Sequence, residues 1–105
     1  MAGVIDVTPQ EVNDNASELF LVDVREDAEY TGELSHVKGT KHIKLGTIPE
    51  HISNLPKDKT IVFICRSGGR SAQASAYALQ EGFQHVYNMQ GGMMLWNQLQ
   101  LPVNS

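Results

Sequence analysis

The sequence predicts an α/β fold: a single domain with a mostly parallel central sheet of about five strands and helices on both faces. Apolar runs of strand length alternate with segments in which apolar residues have helical spacing. The runs at residues 19–24 and 60–64 are almost continuously apolar, which is typical of strands buried on both faces of a parallel sheet. The length of 105 residues suits one domain, and we assign residues 1–105 to it.

Thr8 and Pro9 predict the start of a first short helix, because threonine is a favoured N-cap residue and proline fits the first helical position. We place the end of this helix at about residue 13. A strand over residues 19–24 follows, and then a short polar helix over residues 26–33 that stops near Gly32.

The middle of the chain is expected to hold a short strand over residues 42–45 and a helix that begins at Thr47. Ile48, Ile52 and Leu55 recur there at helical spacing. The clearest strand of the chain, residues 60–64, comes next and is β-branched, aromatic and uncharged.

The clearest helix spans residues 70–81 and ends at Gly82, a residue type favoured just past a helix C-terminus. We expect the stripe of Ala72, Ala76 and Leu79, with the small Ser75, to pack closely on the sheet. The pattern ends with a strand over residues 85–88 and a helix over residues 93–99. The last helix begins with an apolar run that is expected to be mainly core: Met93, Met94, Leu95 and Trp96.

Charge and composition argue against several classes of function. The net charge of −4 at pH 7 disfavours nucleic acid as a partner. No apolar run approaches the ~20 residues of a membrane helix, and the N-terminal residues lack the apolar core of a secretion signal. A single cysteine makes no internal disulfide, which favours a reducing compartment. We therefore expect a cytoplasmic protein without a membrane partner.

Cys65 is the candidate catalytic residue. It ends the predicted strand and begins the loop Cys65-Arg66-Ser67-Gly68-Gly69-Arg70, just before the clearest helix. Ligands of open parallel sheets bind at the carboxyl ends of the strands, where this loop would lie. Between residues 60 and 80 there is no acidic residue, and Arg66 and Arg70 are the only charged side chains. The sequence thus places a lone thiol in a locally cationic loop.

Three features favour the thiolate form of Cys65, which is the reactive form of a cysteine. The helix after the loop directs its N-terminal partial positive charge at the loop. Gly68 and Gly69 allow turns that aim several backbone N–H groups at one centre, and Arg66 and Arg70 add full charges. The alternative is a small buried core residue, but such a residue gains nothing from two flanking guanidiniums.

Four segments of the chain resemble the motifs of single-domain rhodanese-like sulfurtransferases, in the family's order. Residues 21–30 resemble the first signature of the family and residues 35–43 the second. Residues 65–71 resemble the active-site loop. Residues 88–92, with Trp96 and the pair Pro102-Val103 after them, resemble the ending, so that the resemblance covers nearly the whole chain.

The resemblance implies a rhodanese-like fold, in which the cysteine accepts a sulfane sulfur, becomes a persulfide and passes the sulfur to a nucleophile. Cys65 would then be catalytic, and the following residues would bind the substrate and cradle the persulfide: Arg66, Ser67, Gly68, Gly69, Arg70 and Ser71. Ser35 and Lys38 stand where the family usually has glycine and proline. The loop near His36 is therefore expected to be looser.

The length of the loop separates sulfur chemistry from phosphate chemistry. Tyrosine-type phosphatases need a cysteine, five residues and then an arginine that clamps the phosphate through two hydrogen bonds. The residue at that arginine position is Ser71, and Arg70 comes one residue too early. No aspartic general acid is obvious, although sequence alone does not place Asp23 and Asp27. Phosphatase or arsenate reductase activity is therefore disfavoured.

Asp23, Arg25 and His36 are interpreted as supporting residues. Asp23 lies at a strand end, where a carboxylate pairs with a base or with backbone. Arg25 and Glu29 stand one helical turn apart and could form a solvated ion pair. The resemblance implies the supporting role of His36.

No metal and no cofactor are expected. The four histidines and the single cysteine show no metal-ligand spacing. Gly91-Gly92 lacks the frame of a nucleotide-binding loop and is expected instead to let the chain pass close to the Cys65 loop.

The sequence therefore predicts transfer of sulfane sulfur from a small anionic donor, such as thiosulfate, to cyanide or a thiol through a Cys65 persulfide. The alternative from the same loop is a persulfide carrier or redox module whose donor or acceptor is another protein. The two hypotheses share the chemistry of Cys65 and differ in the substrate.

Overall fold

The computed structural model describes residues 3–104, which form five strands and five helices. The strands are β1 (Ile5–Val7), β2 (Leu19–Asp23), β3 (Lys41–His42), β4 (Thr60–Ile64) and β5 (Val86–Met89). The helices are α1 (Pro9–Asp14), α2 (Asp27–Tyr30), α3 (Ile48–His51), α4 (Gly69–Gln80) and α5 (Gly92–Gln98). Short 3₁₀ turns cover Ala16–Glu18, Leu45–Thr47 and Ile52–Asn54.

The five strands form one sheet in the order β1-β5-β4-β2-β3, and every pair of neighbours is parallel. The predicted α/β class and parallel sheet are therefore confirmed. All strands end at the same edge of such a sheet, so the segments that follow β2, β4 and β5 meet there. β4 lies between β5 and β2, in the middle of the sheet.

Helices cover both faces of the sheet, because alternate residues of each strand point to opposite sides. One core cluster joins Phe63 and Val86 to α4 and α3. The other joins Val62 and Met89 to α1 and α5, with Trp96 completely buried. This three-layer arrangement is the one expected from strands that alternate with short helices.

The N-terminal strand β1 is the element that the sequence does not reveal. It has three residues at an edge of the sheet, and Ile5 is 58% exposed. Three residues with one apolar side chain in solvent are too few for a periodic pattern. β1 nevertheless matters for the site, because its pairing with β5 places Asp6 opposite Asn88.

The boundaries of several elements differ from the predicted ones. α2 has four residues rather than eight. β3 ends at His42, because only Lys41 and His42 are paired in register with residues of β2. The packing face of α4 is also corrected. The buried residues are Ser71, Ala74, Ser75 and Ala78, whereas the predicted stripe of Ala72, Ala76 and Leu79 is only half-buried. In α5, Met93 and Trp96 are buried and Met94 is 39% exposed.

No helix within residues 3–104 has the length and apolar character needed to cross a lipid bilayer. Within residues 3–104, no three His, Cys, Asp or Glu side chains come together as a metal site would require.

Candidate active site

Cys65 follows β4 directly, at the carboxyl end of the sheet, and is 1% exposed. The chain then turns through Gly68, which has a φ of +107°, and enters α4 at Gly69. This φ lies in a region that glycine adopts freely and other residues do not. A central strand, a glycine turn and the start of a helix together fix the position of the thiol.

Hydrogen-bond donors of the loop and of α4 point at the sulfur of Cys65. The Gly68 N–H lies 3.0 Å from Sγ and the Ser71 hydroxyl 3.2 Å from it. Burial raises the pKa of the Cys65 thiol. Hydrogen bonds from the Ser71 hydroxyl and from the N–H groups of Ser71, Gly68 and Ser67 lower it, and their combined effect is larger, so the pKa lies below its ordinary value. Hydrogen bonds from the loop are therefore the main stabilisation of the thiolate.

The N-terminus of α5 packs against the backbone of the loop. The Met93 N–H donates to the Cys65 carbonyl at 2.8 Å, and the Met94 N–H donates to the Arg66 carbonyl at 2.9 Å. A Cβ at Gly92 would collide with both carbonyl groups, so only glycine permits this approach. The expected close passage of Gly91-Gly92 beside the loop is confirmed.

The two arginines of the loop have different surroundings. Arg66 is exposed and lines a cleft of about 210 Å³ together with Glu33 and Leu34. Arg70 donates from Nη1 and Nη2 to the two carboxylate oxygens of Glu29, at 2.7 and 2.8 Å. These hydrogen bonds hold the pKa of Glu29 at about 2, so the pair stays ionised at neutral pH. Of the two loop cations, Arg66 alone lacks a carboxylate partner among the described residues.

The expected side-chain pair between Arg25 and Glu29 is wrong. Arg25 is 1% exposed, and it donates to the Asp23 carboxylate from Nε at 3.0 Å and from Nη2 at 2.9 Å. Its Nη1 donates to the backbone carbonyl of Glu29 at 3.1 Å. Because the guanidinium of Arg25 binds Asp23, the Glu29 carboxylate is available to bind Arg70, which is 41 residues away along the chain.

His36 contacts α2 through an aromatic stack. Its ring lies 3.9 Å, between centroids, from Tyr30, and the other face of Tyr30 stacks on His42 at 4.2 Å. Ser35 has a φ of +54°, and its carbonyl accepts from Arg25 at 2.6 Å. The loop near His36, expected to be looser, is thus held by a stack and by a buried guanidinium.

A buried side chain of β5 also reaches the site. Asn88 is 4% exposed; its Oδ1 lies 2.5 Å from the Ser71 hydroxyl, and its Nδ2 donates to Asp6 at 3.0 Å. Asp6 and Gly68 line a second cleft, of about 280 Å³, beside the loop. The sequence patterns predict no role for Asn88 or Asp6. The signal that could have pointed to Asn88 is a polar side chain in a mostly apolar strand.

Comparison with known proteins identifies the family. The rhodanese-like domain model matches residues 8–99. YtwF of Bacillus subtilis, provisionally named a sulfurtransferase, is 46% identical over 87 residues, which are 83% of this chain and 82% of that protein. The thiosulfate sulfurtransferase GlpE of Pseudomonas paraeruginosa is 36% identical over 76 residues, 72% of this chain and 67% of that protein.

The fold agrees with these matches. The crystal structure of a rhodanese-like domain protein from Staphylococcus aureus superposes with a TM-score of 0.83 at 28% identity, over 97% of this chain and 100% of that chain. The matched residues, 8–99, span the segments at residues 21–30, 35–43, 65–71 and 88–92. The chain therefore belongs to the rhodanese-like domain family of sulfurtransferases.

Proposed function

We propose that this protein is a thiosulfate sulfurtransferase in which Cys65 is the catalytic residue. The observation that carries this proposal is the set of hydrogen-bond donors around Sγ, contributed by Gly68 and Ser71. Donors fixed by backbone turns stabilise an anionic sulfur without having to reorganise during the reaction. A loop of this length suits one sulfur atom beyond Sγ, as the resemblance to the family's active-site loop implies.

The reaction proceeds in two displacement steps. The Cys65 thiolate attacks the sulfane sulfur of thiosulfate, whose S–S bond breaks, and sulfite leaves with the bonding electron pair. Cys65 then holds the sulfur as a persulfide. Cyanide or a thiolate attacks the outer sulfur, and Cys65 leaves as the thiolate from which the cycle began. The cycle balances without an external oxidant or reductant.

Ser71 and Glu29 both argue against phosphate chemistry. The position that would hold a phosphate-clamping arginine is Ser71, whose hydroxyl contacts Sγ instead. Arg70, which is next to Ser71 in the sequence, already binds both carboxylate oxygens of Glu29. A phosphate would have to displace a carboxylate from Arg70 before it could bind there.

Arg66 is the residue that we propose for attracting the anionic donor. It is exposed next to the catalytic residue, and its guanidinium has no carboxylate partner among residues 3–104. Arg70 has a different role in this proposal. Through Glu29 it ties the start of α4 to α2, so it holds the loop in place.

Exposed Met94 favours the second candidate, a protein that exchanges sulfur with a protein partner. Met94 is 39% exposed, and its N–H donates to the carbonyl of Arg66. An exposed methionine beside the loop would suit an apolar protein surface. In either role Cys65 must remain a free thiol, so we place the protein in a reducing compartment such as the cytoplasm.

The experiment that tests the proposal is intact-mass measurement before and after incubation with thiosulfate. We expect one added sulfur atom per chain, which cyanide then removes. Protein alkylated beforehand with iodoacetamide is the control, because Cys65 is the only cysteine. If the unmodified protein gains no mass, thiosulfate is not the donor, and a mixed disulfide trapped on Cys65 with a partner protein would favour the carrier. Clear hydrolysis of an aryl phosphate would overturn both readings.

The Glu29–Arg70 pair leads to a prediction about donor binding. Glu29→Gln removes the charge that neutralises Arg70, so a second guanidinium becomes available to attract an anion. We expect the KM for thiosulfate to fall about threefold at low ionic strength. The matched control is Glu33→Gln, which makes the same charge change in the cleft beside Arg66 but has no ion pair with Arg70. Equal effects of the two variants would contradict the special role of Glu29.

A further inference from the structure

A chain of polar side chains runs from the sulfur of Cys65 to the surface of the molecule. The Ser71 hydroxyl lies 3.2 Å from Sγ and 2.5 Å from Oδ1 of Asn88. The Asn88 Nδ2 donates to the Asp6 carboxylate at 3.0 Å. Ser71 and Asn88 are buried, whereas Asp6 is exposed beside the second cleft. Three elements, α4, β5 and β1, thus contribute one residue each.

The orientation of the Asn88 amide is set by Asp6. A carboxylate at neutral pH only accepts hydrogen bonds, so the amide must turn its NH₂ group towards Asp6. Its carbonyl oxygen then faces Ser71. A serine hydroxyl has a single proton, and here two acceptors, Sγ and Oδ1, lie within reach of it. The hydroxyl can donate to one of them at a time.

The form of Cys65 decides which acceptor receives the hydrogen bond of the Ser71 hydroxyl. When Cys65 is a thiolate, the charge is on Sγ, and the hydroxyl donates to Sγ while the buried Oδ1 of Asn88 loses its donor. When Cys65 is a persulfide, the charge moves to the outer sulfur, and Sγ becomes a neutral, weak acceptor. The hydroxyl can then donate to Asn88, so the Ser71 hydroxyl, the Asn88 amide and the Asp6 carboxylate all keep their hydrogen bonds.

We propose that Asn88, oriented by Asp6, is a positioning residue that accepts the hydrogen bond of the Ser71 hydroxyl when Cys65 carries sulfur and so favours the loaded form over the free thiolate. The inference rests on the proposed persulfide chemistry. It assigns a function to two residues outside the catalytic loop. The Ser71 hydroxyl then donates its hydrogen bond either to Sγ or to Oδ1 of Asn88. Asn88 is thus expected to oppose thiolate formation, in contrast to the other contacts of the loop.

The first test is the pKa of Cys65, measured as the pH dependence of iodoacetamide alkylation. Asn88→Ala removes the competing acceptor, so the Ser71 hydroxyl keeps donating its hydrogen bond to Sγ. We expect the pKa of Cys65 to fall by about one unit, a tenfold change in the thiolate equilibrium. The charged groups on the elements around the thiol include the loop cations, the carboxylates of Glu29 and Asp6, and the buried Asp23–Arg25 pair at the end of β2, and this variant leaves all of them in place. The control is Asn97→Ala, which also removes an asparagine with two hydrogen bonds but does not contact Ser71.

The second test uses Asp6, whose exposed position keeps the variant folded. Asp6→Ala frees the Asn88 amide to turn and donate to Ser71, so the pKa of Cys65 should again fall. Removal of a negative charge would act in the same direction, and a double mutant separates the two causes. If Asp6 acts through Asn88, Asp6→Ala has little further effect in the Asn88→Ala protein. A full additional shift there would overturn the assigned role of Asp6.

The third test measures sulfur loading at a fixed ratio of thiosulfate to sulfite, which sets the equilibrium between thiolate and persulfide. Above the pKa of Cys65, Asn88→Ala should reduce the ratio of loaded to free protein about tenfold, the same factor as in the alkylation experiment. A pKa that stays constant or rises in both single variants would overturn the inference, even if wild-type protein loads sulfur normally. Alkylation needs no sulfur donor, so failure of the proposed function is seen separately, as wild-type protein that does not load at all.

Discussion

Serine in place of Cys65 is expected to reduce sulfur loading by thiosulfate at least about 1,000-fold, to the background of the assay. A hydroxyl stays protonated at neutral pH unless a base removes its proton. The groups that contact Sγ, among them the Gly68 N–H and the Ser71 hydroxyl, are arranged as donors to an anion and do not act as a base. Intact mass after incubation with thiosulfate checks this prediction.

The same substitution should leave the fold intact. A serine hydroxyl can accept the hydrogen bonds that Sγ accepts, and it is smaller than the thiol, so we expect the free energy of unfolding to change by less than about 2 kcal/mol. Urea unfolding provides that control. Sulfur that still adds covalently to the folded Cys65→Ser protein would show that another residue carries it.

Asp23→Ala is expected to destabilise the protein by about 3–5 kcal/mol, because it leaves a buried guanidinium without its counter-ion. Arg25 is 1% exposed and Asp23 is 0% exposed, so water does not replace the lost carboxylate. Arg25 keeps the carbonyl oxygens of Glu29 and Ser35, which satisfy N–H groups without neutralising the charge. Such a loss is a large part of the ~5–15 kcal/mol by which domains are stable.

Asp27→Ala is the matched control for Asp23→Ala. Asp27 also pairs with a cation, Lys44 at 3.5 Å, but its side chain is 77% exposed. Surface ion pairs contribute little, so we expect a change of less than about 1 kcal/mol. Equilibrium unfolding in urea measures both variants. Similar losses from the two would mean that burial of the Asp23–Arg25 pair is not what makes it important.

The elements that the sequence predicts most accurately are those that carry their own signal. β4 is an almost continuously apolar run, and the structure has it at the predicted residues. The start of α1 is set by a capping box between Thr8 and Glu11, which is a local contact. Where the signal was short or absent, as in the three residues of β1, the prediction failed.

The face of α4 shows a different kind of error. Small residues occur all round this helix, so the periodic pattern did not distinguish the stripe that begins at Ala72 from the buried face that begins at Ser71. The distinction depends on the direction in which the helix leaves the glycine turn at Gly68. That direction is a property of the packed loop and has no counterpart in the spacing of the residues.

The contacts of the site are also of two kinds, those between residues close in sequence and those between distant segments. Cys65, the glycine turn and Ser71 are close in sequence, so the loop is recognisable from its residues alone, and its length can be compared with that of a phosphate-binding loop. By contrast, the partner of Arg70 comes from α2, and the amide beside Ser71 comes from β5. These contacts arise because parallel strands bring distant segments to one edge of a sheet.

By itself, then, the sequence determined the fold class, the family resemblance and the choice of Cys65, because local patterns and motifs carry that information. Only the tertiary structure decided that Glu29 neutralises Arg70, that Asp23 neutralises Arg25, and that Asn88 and Cys65 both lie within hydrogen-bond distance of the Ser71 hydroxyl. The physical reason is that charge pairing and hydrogen bonding depend on distances of a few ångströms between residues that lie far apart in the chain. Those distances are set by packing, so sequence spacing does not reveal them.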